Sequence, residues 1–157
     1  MTTSLLITYL NDHLAGSVAA LELLDLLRKK NGPDQDELGR LRSEIEEDQR
    51  VLRQIIERLG GRESQLRKAA AWLAEKLGRA KLQIDDEGHG ELRSLEALEA
   101  LELGIQGKLA LWRALESVAA ARPELGALEF RALERRAEEQ FARVDRLRLQ
   151  AARAAFG

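Results

Sequence analysis

The chain has 157 residues, 25 Lys and Arg against 27 Asp and Glu for a formal charge of −2, and no cysteine. That length predicts a single domain over residues 1–157, able to bury roughly 70% of the surface its unfolded form exposes. Dispersed, balanced charge offers no field for nucleic acid or anionic lipid, and without Cys there are no disulfides and no thiolate chemistry; no basic leader and no apolar run of ~20 residues marks export or a span, so a cytoplasmic protein with no membrane partner is expected.

Ala, Leu, Glu and Arg dominate, two prolines occur, and alternating β-branched runs are missing, so every long segment favours helix and the fold class is all-α. A first helix is predicted over residues 3–30, with Ile7, Leu10, Leu14, Ser17, Leu21 and Leu24 as its stripe. Asn31-Gly32-Pro33-Asp34 ends it, and Asp34 or Asp36 is placed to cap the second helix. There Leu38, Leu41, Ile45, Asp48, Leu52, Ile55 and Leu59 recur at helical spacing until Gly60-Gly61 breaks the pattern into a tight turn. A third helix over residues 63–84 has a wholly apolar seam, and DDEGHG at residues 85–90 is the most turn-like stretch in the chain. The fourth, over residues 91–121, carries Leu95, Leu98, Glu102, Ile105, Leu109 and Trp112, and Pro123 is placed to open a fifth with Leu133, Ala137, Gln140, Val144, Leu147, Ala151 and Ala154 as its seam.

Four of these seams have a polar interruption near the helix midpoint: Ser17, Asp48, Glu102 and Gln140. A carboxylate in an apolar seam costs several kcal/mol unless something pairs with it. One reading is therefore a buried polar cluster of His13, Ser17, Asp48, Glu102 and Gln140 at one level of a bundle, with Asp48 and Glu102 satisfied by the others, by water, or by a shared proton if the two approach. Gly104 and Gly107, each costing about 1 kcal/mol relative to Ala inside a helix, suggest a close approach to Gly16 across the bundle, with a subunit contact as the alternative. Trp112 reads as core and Trp72 as an interface candidate.

The stretch Glu99-Ala100-Leu101-Glu102 with Gly107 and Leu109 resembles the E-H-Y-E-I-A-A-Y-G-T-L type of segment in the stress-induced bacterial branch of the ferritin-like superfamily, Ala100 standing where that branch has His. Residues 10–17 are similar to that branch's opening, with Ser17 in place of its ligand Glu; Glu47-Asp48 and Glu138-Glu139 stand at its other carboxylate positions. The resemblance implies a ferritin-like antiparallel four-helix bundle with an additional crossover helix. In such bundles a Glu from each of two helices and a Glu-x-x-His pair from each of the other two hold a di-metal centre. This chain has no Glu-x-x-His, and its histidines are His13 and His89. The expectation is a degenerate site with no cofactor; were iron or manganese bound, the candidate ligands are His13, Glu22, Asp48, Glu99, Glu102 and Glu138.

Arg131, Arg135, Arg136, Arg143, Arg146, Arg148 and Arg153 alternate with Glu and Asp at ion-pairing spacings, so the last helix reads as a solvated face rather than a nucleic-acid strip. Sequence motifs for nucleotide loops, hydrolase elbows and zinc proteases are missing. The expected role is a non-catalytic bundle for protein interaction or scaffolding, stress-related by the resemblance, working as a homodimer or with an unidentified protein partner. The alternative is an atypical carboxylate-bridged metal or oxidant-handling protein.

Overall fold

The computed structural model describes residues 2–30, 32–62 and 89–157, which form α1 (Thr2–Arg28), α2 (Gln35–Arg58), α3 (Gly90–Val118) and α4 (Phe130–Phe156), with single 3-10 turns at Ala119–Ala121 and Pro123–Leu125 between α3 and α4. The described residues contain no strand, and the protein is all-α as its composition predicts. The expected third helix at residues 63–84, with Trp72, and residues 85–88 of the DDEGHG stretch lie outside the described residues.

Local chemistry accounts for most helix ends. Asp34 occupies the N-cap of α2, but the expected side-chain cap is not made; its carbonyl accepts the Leu38 N–H at 2.9 Å, and Asp36 and Glu37 in the first turn supply the negative charge that the helix N-terminus favours. Beyond Arg58 the chain turns at Gly60, whose φ of +71° suits glycine, and the Gly60 and Gly61 N–H groups bond back to Glu57 and Ile56. Pro123 does not open the last helix. It starts one 3-10 turn closed at Gly126, which drives Leu125 into the same apolar cluster as Phe130, and α4 begins only after that anchor.

Pairings between helices fix their directions. Ser17 faces Gln49 and Asp25 faces Arg42, so α1 and α2 are antiparallel. Lys30 meets Ser94 and Thr3 meets Arg122, which makes α1 and α3 antiparallel as well. Consequently α2 and α3 are parallel to each other, and residues 59–89 connect opposite ends of the assembly. Glu102 with Arg148 and Arg113 with Glu138 set α4 antiparallel to α3.

The core falls into two clusters. One gathers Leu24, Leu41, Ile45, Leu101, Ile105 and Val144 with their neighbours; the other gathers Leu10, Leu14, Ile55, Trp112, Leu125 and Ala137 with theirs. Trp112 is fully buried, as its place in the seam predicts. Asp48 and Gln140 lie between the two clusters in sequence on α2 and α4, so the polar residues mark the level at which one apolar half gives way to the other.

A packing expectation is overturned as well. Gly104 and Gly107 make no close approach to Gly16: a Cβ built at any of the three meets nothing within 4 Å. Because the space is open and alanine is the better helix former, Gly104→Ala should raise unfolding free energy by about 0.5–1 kcal/mol in urea titration. A loss of stability would show that the position needs glycine for packing.

Candidate functional site

Asp48, 2% exposed at the middle of α2, is the most deeply buried carboxylate among the described residues, ahead of Glu134 at 9%. Both of its oxygens are taken. Lys108 Nζ, reaching across from α3, donates to Oδ2 at 2.5 Å, and Arg136 of α4 donates through Nη2 to Oδ1 while its Nη1 donates to Glu47 at 2.8 Å. Gln140, with no exposed surface, accepts from Lys108 through Oε1 and donates from Nε2 to Glu44 at 3.1 Å, with Asp48 Oδ2 at 3.5 Å. Arg143 closes the network from α4, donating to Glu44 and lying 3.3 Å from Glu37. The alternation of charge along this chain of contacts is what makes it tolerable in the interior, since a buried ion repays its lost hydration only when its hydrogen-bonding sites are filled.

The environment leaves its mark on protonation. Burial pushes the Lys108 ammonium below its ordinary value, against the pull of Asp48 that favours the charged form. For Glu44 burial alone would push the carboxyl up, but the bonds from Arg143 and Gln140 and the nearby guanidinium charges leave it below the usual value. His13 is half-buried, its ring 4.7 Å from Tyr9 in an edge-to-face contact, and burial lowers its value from 6.5 despite the opposing charge of Asp12.

Only part of the expected polar cluster comes together. Asp48 and Gln140 meet. Ser17 is half-buried on α1, accepting from Gln49 Nε2 at 3.0 Å and donating to the Leu14 carbonyl, so it touches Asp48's neighbour rather than Asp48. Glu102 is not a partner of Asp48: it pairs at 2.8 Å with Arg148, which Asp145 also holds. The reason is that Leu101, one position earlier, takes the core place in α3 and turns Glu102 toward the α4 flank. The remaining candidate ligands are dispersed. Glu22 and Glu99 are exposed, and Glu138 is exposed and bonded to Arg113 at 3.0 Å.

This donor set does not fit a dinuclear carboxylate centre. Such a centre needs several unpaired carboxylates and imidazoles converging on two cations, and here the central carboxylate already has two cations of the chain's own against it. Among the described residues no group of three or more His, Cys, Asp or Glu side chains is arranged to hold a metal ion.

Lys108 and Arg136 are the members of the cluster that the seam periodicity passes over. Each lies beside an apolar seam rather than in it, Lys108 just before Leu109 and Arg136 just before Ala137, and flanking basic residues ordinarily face solvent. The available signal was their level: a cation one step off the seam can bend its long arm inward where a carboxylate waits.

Above the cluster a groove of about 370 Å³ opens between α1 and α3. Ile45, Leu52, Ile105 and Leu111 line it, together with Asp48 and Lys108, and Tyr9 and His13 of α1. Comparison of the chain with protein-family models, with curated proteins and with solved structures gives no match.

Removing either partner of the central pair should be costly, because it strands a buried charge. Asp48→Leu and Lys108→Met should each destabilise by about 3–5 kcal/mol in chemical denaturation, and the double variant should lose less than their sum by at least about 1 kcal/mol. Strict additivity would mean that the two groups are not coupled.

For His13 the folded value lies below the unfolded 6.5, so its contribution is present above pH 6.5 and is lost as pH falls from there toward the folded value. An NMR titration of the His13 ring should give a midpoint below 6.5, and His13→Gln should flatten the fall in stability between about pH 7.5 and about pH 5.5. A midpoint at or above 6.5 would contradict the burial seen here.

Proposed function

We propose that the protein is a non-catalytic bundle of ferritin-like layout in which an internal ion-pair cluster stands where a di-metal protein would hold its ions, and that it acts through protein interaction. The observation that carries this reading is the pairing of both Asp48 oxygens with Lys108 and Arg136. Two cations supplied by the fold do for Asp48 what metal ions do for the carboxylates of a dinuclear site: they neutralise it and hold it in one geometry. Each oxygen already faces a cation of the chain's own, which disfavours a metal ion or a substrate's proton there.

The layout is supported by the parallel course of α2 and α3 with one connection joining opposite ends. Ferritin-like bundles have that single long crossover, whereas up-down-up-down bundles have short loops throughout. An interaction role is the reading supported by a central carboxylate already committed to cations of the chain's own. Any link to stress responses rests on the resemblance of residues 99–109 and 10–17 to the bacterial branch described above.

Protein purified without chelator should contain iron and manganese well below stoichiometry, and its melting temperature should be unchanged on adding Fe²⁺ under anaerobic conditions. Stoichiometric metal that disappears in Asp48→Ala and Glu102→Ala would overturn the reading in favour of an atypical carboxylate metal site.

A further inference from the structure

The groove between α1 and α3 is kept open at a cost. Gly16, Gly104 and Gly107 all border it, each inside a long helix where glycine costs about 1 kcal/mol relative to alanine. Close packing does not explain them, since a Cβ at each would meet no atom within 4 Å; Gly61, where a Cβ would come within 3.0 Å of Ile56 and Ile7, shows what a packing glycine looks like in this chain. What the three have in common is that side chains in their place would fill the groove.

The chemistry of the groove narrows its occupant. Its volume of about 370 Å³ falls in the range of small-molecule pockets, roughly 300–1,000 Å³. Its lining surface is mainly apolar, with Asp12, His13, Ser17 and Gln49 as polar groups on it besides Asp48 and Lys108. The buried charge on it is answered within the protein, Lys108 by Asp48 at 2.5 Å and Asp48 in turn by Arg136, and Asp12, the other acid on the groove, is exposed, so a ligand's net charge would lose its hydration against apolar walls with no buried partner left free for it. An ammonium has three N–H donors, and Lys108 uses two on Asp48 and Gln140. One remains, on a side chain that borders the groove.

We propose that the α1/α3 groove is a binding site for an uncharged, mainly apolar small molecule bearing one hydrogen-bond acceptor, which takes the remaining N–H of Lys108. The site goes beyond the interaction role above and stands or falls separately from it, because the metal content of the protein does not bear on it.

The probe is prodan, an uncharged naphthyl ketone whose emission shifts to the blue in apolar surroundings, titrated into the whole chain. Saturable binding is expected, weakened at least about tenfold in Gly16→Leu/Gly104→Leu, which fills the groove with good helix formers and should melt no lower than the parent. The sulfonate analogue of the probe should bind at least about tenfold more weakly. Lys108→Met, where it folds, should weaken the ketone but not its carbonyl-free dimethylaminonaphthalene counterpart. Three results would overturn the proposal: binding that survives the double glycine replacement, equal binding of the sulfonate, or no saturable binding, as a groove covered by a second copy would give.

Discussion

A carboxylate 2% exposed between two apolar clusters is unstable unless cations come to it, and in this bundle the cations come from two other helices, Lys108 from α3 and Arg136 from α4. Asp48 therefore ties three helices at one height. Sliding any of them by a turn, about 5.4 Å, would separate a buried charge from its partner, whereas a seam of leucines tolerates such a slip with far smaller loss. Gln140 reinforces the constraint, because its amide can face only one way: oxygen to Lys108, nitrogen to Glu44. The apolar clusters supply the bulk of the driving force, and the ionic layer between them specifies alignment.

The same layer shapes what the molecule presents to its surroundings. With Lys108 drawn inward to Asp48 and glycines at positions 16, 104 and 107, the space between α1 and α3 is not closed by side chains of the described residues. Charge is balanced beneath it and most of its lining surface is apolar, although Lys108 and Asp48 border it together with Asp12, His13, Ser17 and Gln49. On the α4 flank the pattern differs. Arg148 gathers Glu102 and Asp145, and Arg113 holds Glu138, in pairs that are partly solvated and contribute little each.

Helix positions and seams were legible in the residues because a period of 3.6 is a local property. Leu38, Leu41, Ile45, Leu52 and Ile55 are buried on α2, and Leu133, Ala137, Val144 and Leu147 on α4, where their spacing places them. Asp48 and Gln140 were legible as faults in those seams. Glu102 was misjudged because α3 packs against both α1 and α4 and so has a broad buried face, on which Leu101 and Glu102 compete for one place and the leucine wins on transfer free energy. Pro123 misled for a related reason: its fitness for a first helical turn is real, but burial of Leu125 limits that turn to a single 3-10 segment.

By itself the sequence determined an all-α chain, the courses of its described helices to within a few residues except for the late start of α4, and the existence of a buried carboxylate that required a partner. Which partner it found only the tertiary structure decided. Lys108 and Arg136 are separated from Asp48 by 60 and 88 residues, and each stands beside a seam where local periodicity assigns a cation to solvent. What brings them inward is the electrostatic demand of a charge on another helix, and that demand exists only once the helices are side by side.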